Sequence, residues 1–226
     1  MPETRKLYHE ELDELSFDVV RVAAMDCEAI QAGTEALLNF DLAAADKVMR
    51  EDRVIDDLTH DIEDRCCLLM ARQQPMAADL RLLVTILRVV YELERIGDLM
   101  VNVAKATRRL YPQQLDPRTR GLIDRMRTQA TAQLRLATDA FADRDAARAA
   151  ALVDMDDVMD DLQKELFRAI FDNRAQDEAA IQRAVQVGLI GRYFERTADH
   201  AVNFGQRVRY MVTGQFPGER HTTATS

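Results

Sequence analysis

The chain has 226 residues, 47% of them hydrophobic and 31% charged, enough for one large domain or two small ones with a proper core. Eight glycines, five prolines and no tryptophan, in a chain dominated by Ala, Leu, Arg, Asp, Glu and Met, make the composition of long helices, so the expected fold class is all-α. A formal net charge of −9, with basic residues scattered among acidic ones, argues against direct nucleic-acid binding and suits cations or basic partners.

The N-terminus, MPETRKLYHEELDEL, is charged from its start, unlike a signal peptide. Apolar spacing at Leu12, Leu15, Val19 and Val22 predicts a first helix reaching about Leu38, and Asp41 is an N-cap candidate for a second that reaches about Gln73. Pro75 interrupts the pattern, and a third helix follows from about Met76 to Leu110. Its most apolar stretch, Leu80 to Leu93, is shorter than the ~20 residues of a membrane span and contains Arg81, Arg88 and Glu92. The segment YPQQLDP, residues 111–117, has two prolines and reads as a linker between a first repeat at 1–110 and a second at 118–212.

Helical spacing resumes at Leu122, Met126, Ala130, Leu134, Ala137 and Phe141, up to a turn near Asp143. A fifth helix carries Leu152 to Phe171, NRAQDE is the next turn, and a sixth runs from about Glu178 to Val212. Residues 213–226, polar and without pattern, read as a disordered tail. Cys27, Cys66 and Cys67 are an odd set without C-x-x-C spacing and read as buried thiols in a reducing, cytoplasmic compartment.

The two halves share a layout. ERIGDLMVN at 94–102 returns as ERTADHAVN at 195–203, and Asp52-Arg-Val-Ile-Asp56-Asp57-Leu58 aligns with Asp156-Asp-Val-Met-Asp160-Asp161-Leu162. The expected architecture is therefore two tandem, pseudo-symmetric three-helix bundles.

Four residues along a helix leave two side chains about 40° apart in direction and about 6 Å apart along the axis. Asp52 with Asp56, Glu94 with Asp98, Asp156 with Asp160, and Glu195 with Asp199 are such pairs. Asn102 and Asn203 continue the third-helix stripe by one turn, and His60 lies one turn beyond Asp56. Like charges at this spacing cost an isolated helix about 0.2–0.5 kcal/mol per pair, and roughly 2–3 kcal/mol in a groove of effective dielectric near 20. If the second and third helices bring their pairs together, something positive must sit among them, and an oxygen-only donor set favours Mg²⁺, Ca²⁺, Mn²⁺ or iron.

Solvated helix faces also carry such pairs, with Arg95 and Arg196 available to Asp98 and Asp199. His60 aligns with Lys164 and suits a surface or capping role, while His200 faces elsewhere on its helix than Asp199. No nucleophile elbow, Walker loop, Gly-rich dinucleotide turn or Cys-His pairing occurs. The Glu-x-x-His pairs of di-iron bundle enzymes are missing as well, so the chain is not expected to be an enzyme.

Read together, the two ER-x-x-D segments, the two D-x-x-x-D segments and RQQPMAADLRLL at 72–83 resemble the PhoU family, bacterial accessory regulators of phosphate transport, over nearly the whole chain. The resemblance implies metal ligation by Asp52, Asp56, Glu94 and Asp98 in the first half and by Asp156, Asp160, Glu195 and Asp199 in the second. Asn102 and Asn203 are outer candidates, and His60 a further one. It also implies a repressor of phosphate-starvation signalling that links the ATPase subunit of the phosphate ABC transporter to a sensor histidine kinase. Such a protein reaches the membrane only through partners, and a homodimer is expected. The competing reading is a metal-storage or metal-dependent hydrolytic protein on the same bundle.

Overall fold

The computed structural model describes residues 2–172 and 177–215. The helices are α1 (Pro2–Asn39), α2 (Leu42–Gln73), α3 (Ala78–Leu110), α4 (Pro117–Ala142), α5 (Ala146–Ala150), α6 (Leu152–Asp172) and α7 (Glu178–Thr213). Among the described residues there is no strand. The first three helices form one bundle and α4 to α7 the other, α5 and α6 together standing where α2 stands.

Aspartates start most of these helices. Asp41 accepts from the Ala44 N–H, Asp145 from Ala147 and Arg148, and Asp177 from Ala180, each satisfying amides that a first turn leaves open. Asp116 accepts from the backbone of Arg118 and Thr119, and Pro117 follows it at the position where a missing N–H costs nothing. The turns before α2 and α5 also match: Phe40 and Arg144 both have φ of 52°.

The core is continuous across the halves. A single cluster of buried apolar residues includes Leu15, Val19 and Ile30 of α1, Ile86, Leu93 and Met100 of α3, Ile123 and Leu134 of α4, and Phe194 and Phe204 of α7. Burying one such side chain is worth about 1.5–3 kcal/mol. The seam between the bundles is formed by α3 against α7 and by α1 against α4.

Five expectations need correction. The first helix begins at Pro2, and Tyr8, upstream of the periodic run, is already buried. Cys27 and Cys66 are buried but Cys67 is exposed. The third helix starts at Ala78, because Ala77 has φ of 48° and ends the turn after Pro75. The fifth helix is preceded by α5, a short segment that the alanine run at 146–151 does not announce. The break at Ala151 nests on α7 at Gly205, where an added Cβ would lie 2.3 Å from Leu152 Cδ1 and 3.0 Å from the Ala149 carbonyl oxygen. The turn at 173–176 and the tail from 216 onward lie outside the described residues, while Thr213, expected in the tail, is still helical and α7 is capped by Gly214.

Candidate metal centre

In the first half, α2 and α3 pack side by side and turn Asp52, Asp56, Glu94 and Asp98, all half-buried, toward one another. Burial pushes the Asp52 carboxyl up to about 6, and the charges of Asp56 and Asp98 push the same way. Asp56 is raised by burial and by Asp98, and Glu94 by burial, Asp98 and Asp56. The two stripes therefore share one field. Arg95 does pair with Asp98, Nη1 to Oδ2 at 2.5 Å, so the alternative of a solvated ion pair describes that one carboxylate. His60 is exposed, and its Nδ1–H donates to the Asp56 carbonyl at 2.6 Å. Asn102 is half-buried one turn beyond Asp98.

Sequence reasoning missed a fifth carboxylate. Asp26 of α1 has no solvent exposure, and neither of its oxygens has a hydrogen-bond partner. Burial holds its carboxyl well above the usual range, and Asp52 adds to the effect. A Cβ at Gly97 would lie 2.7 Å from Asp52 Oδ1 and 3.5 Å from Asp26 Oδ1, so the glycine is what leaves room for both oxygens. The signal was present in the sequence, because Asp26 occupies the apolar frame of Val22, Ala23, Cys27 and Ile30.

The second half repeats the plan with changes. Asp156, Glu195 and Asp199 are half-buried, and burial raises all three carboxyls. Asp199 acts first among the charges on both Asp156 and Glu195. Asp160 is exposed. Here the arginine partner is shifted: Arg192 pairs with Glu195. From α4 comes a neutral amide, buried Gln133, against Asp156, and Ala198 stands at the position of Gly97.

One residue expected to continue this stripe, Asn203, belongs elsewhere. His200 reaches across the seam to Glu92 of α3, Nδ1 to Oε2 at 2.7 Å, and the Asn203 amide donates to the same oxygen at 3.4 Å. Asn203 is thus engaged by Glu92, and His200 does face away from Asp199. A contact between residues 108 apart in the chain leaves no local signature.

The PhoU domain family model matches the chain twice, at residues 19–107 and 123–208. The chain belongs to the PhoU family. It is 37% identical to "Phosphate-specific transport system accessory protein PhoU homolog 1" of Mycobacterium tuberculosis over 216 residues, 95% of this chain and 97% of that protein. The homolog 2 of the same organism is 36% identical over 214 residues, 94% of this chain and all of the other. The crystal structure of the phosphate transport system regulatory protein PhoU from Streptococcus pneumoniae superposes with a TM-score of 0.85 at 26% identity, covering 94% of this chain and all of that one. PhoU from Pseudomonas aeruginosa gives 0.86 at 29%, covering 92% and 100%.

Whether these PhoU repeats suit a metal is a question of donors. Among the described residues no three His, Cys, Asp or Glu side chains converge into a ready cage. The chemistry nevertheless fits a hard cation that keeps part of its water shell: each half gathers four carboxylates, and burial with mutual repulsion raises the majority of them. Both oxygens of Asp26 and Oε2 of Glu195 are buried acceptors without a donor, an arrangement that costs about 1–3 kcal/mol per group or more when charged.

Proposed function

We propose that the chain is a negative regulator of the phosphate-starvation response, acting in the cytoplasm as a non-enzymatic docking body. It couples a phosphate ABC transporter, through the ATPase subunit, to a sensor histidine kinase, and so modulates phosphate uptake. The observation that carries this reading is similarity over nearly the full length to proteins named phosphate-specific transport system accessory protein. Among the described residues no helix is long and apolar enough to cross a membrane, and in this proposal the chain meets the membrane through its partners. A homodimer is the assembly proposed.

Divalent or iron-type ions would be held by Asp52, Asp56, Glu94 and Asp98 in one half and by Asp156, Asp160, Glu195 and Asp199 in the other. The ion supplies positive charge that offsets the repulsion between neighbouring carboxylates. The side chains do the rest: those on α2 and α6 face those on α3 and α7, so drawing them together stiffens each bundle's acidic face.

Deleting the gene in its host is expected to leave phosphate-starvation promoters active in phosphate-rich medium, read with a reporter. Normal repression in the deletion strain, with no second copy of the gene present, would overturn the regulatory reading. Affinity capture by the full chain should retain the transporter ATPase subunit and the kinase cytoplasmic region.

A further inference from the structure

We propose that Asp26 of α1 is a ligand of the first-half cation site, which places an ion in the space over Gly97 between Asp26 and Asp52 and makes this site chemically distinct from that of the second half. The inference rests on the cation reading of the first stripe and adds to it a third helix and an inner position.

The geometry carries it. Asp26 is fully buried with both oxygens unpartnered, although buried carboxylates in folded proteins are ordinarily hydrogen-bonded or paired. Its Oδ1 and Asp52 Oδ1 lie 3.5 and 2.7 Å from the same point, the place a Cβ of residue 97 would fill. Two carboxylate oxygens on one small space, with no donor from the protein, describe half of a coordination shell rather than a packed core. A groove of about 400 Å³ lined by Met25, Lys47, Glu51, Asp52, Val54 and Gly97, among others, reaches Asp52 and Gly97 from outside, with Asp26 on their inner side. A hard divalent ion that retains several waters needs only one or two protein carboxylates at its inner face, so the lack of a three-residue cage among the described residues is consistent with it.

The second half lacks both parts of this device. Carried through the matched turns at Phe40 and Arg144 without a gap, the position of Asp26 falls on Ala130, and that of Gly97 on Ala198 by the repeated ER-x-x-D frame. Both alanines are buried. A methyl group stands where the first half has a carboxylate, and another where it has open space.

The test uses the full chain and Mn²⁺, whose spin-resonance signal separates free from bound ion. With the second site removed by Glu195→Ala and Asp199→Ala, the protein should still bind Mn²⁺. Adding Asp26→Asn should weaken that binding at least tenfold, and adding Gly97→Ala, whose methyl would meet Asp52 Oδ1 at 2.7 Å and close the inner position, should do the same. In metal-free buffer Asp26→Asn should melt higher than its parent, since an orphaned buried carboxylate has gone, and Mn²⁺ should raise its midpoint by less than it raises the parent's. Unchanged Mn²⁺ affinity in Asp26→Asn overturns the role of Asp26 and leaves the stripe reading intact. No Mn²⁺ binding by the unaltered protein overturns both. If Asp26→Asn does not fold, Asp26→Ser, which also removes the carboxylate, takes its place.

Discussion

The first half holds its carboxylate stripe against a buried acid and a glycine, and the second holds its own against a buried amide and an alanine. The motif frames are parallel and, apart from the break between α5 and α6, so is the order of the helices, which leaves a few substitutions on a shared scaffold to compare. In the first half Asp26 and Asp52 crowd one space. In the second, Gln133 is neutral and Asp160 is exposed, while each stripe has one arginine pair, Arg95 with Asp98 and Arg192 with Glu195. The lesson is that a repeated motif fixes where charges sit along a helix, while the neighbouring helix decides how much charge the site must still neutralise. The first site leaves more charge without a partner, and by the proposal above it is the more dependent on an ion.

The largest expected effect tests the seam on which the comparison rests. His200→Leu, which installs the residue found at position 99 in the matching frame, leaves Glu92 buried with only the 3.4 Å amide of Asn203. Loss of one partner of a buried pair costs about 3–5 kcal/mol, so urea unfolding should show a clear loss of stability. The double variant with Glu92→Gln should recover a large part of it.

Next comes the packing difference at the third helices. Gly205→Ala drives a methyl into Leu152 and the Ala149 carbonyl, and overpacking of this kind costs about 1–3 kcal/mol. The mirror change, Ala104→Gly, opens no clash and should cost about 1 kcal/mol through helix propensity. Equal losses in the two variants, measured by thermal melting, would erase the distinction between the continuous α2 and the broken α5–α6.

A smaller effect separates the sites by pH. The Asp52 carboxyl sits at about 6 in the folded protein against an ordinary value of 3.8, so the folded state binds this proton more tightly than the unfolded one. Ionising it therefore destabilises: the penalty is absent below about 3.8, grows as pH rises, and is complete above about 6. Metal-free protein should gain stability on going from pH 7 to pH 5, and Asp52→Asn should flatten that window. For a chain of this size about 1 kcal/mol moves the melting midpoint by about 2–4 °C. Smallest of all are the ion pairs: Arg95→Ala and Arg192→Ala should each change stability by less than about 1 kcal/mol, because both arginines are substantially solvated.

Most of the fold was legible because its signals are local. Asp41 marks a helix start, Leu110 closes α3 before the Pro-containing linker, and the ER-x-x-D and D-x-x-x-D frames give the repeat and the face-to-face stripes. What sequence missed depends on partners far away in the chain. The break at Ala151 has no proline or glycine of its own; the enabling glycine, Gly205, is on another helix. Asp26 was visible as an acid in an apolar frame, yet only the structure shows that nothing inside the protein neutralises it. His200 could be read as turned from Asp199, but Glu92 could not be read as its partner.

That bridge also bears on ancestry. Glu92 is matched in the second half by Tyr193, and His200 in the first by Leu99, so the contact exists once and in one direction. A chain assembled from two copies of the first half would set each Glu92 against a leucine, and one built from two copies of the second would face His200 with a tyrosine. The halves descend from a common pattern but have become complementary rather than interchangeable, and neither can be exchanged for a duplicate of the other without leaving a buried polar group unanswered at the seam.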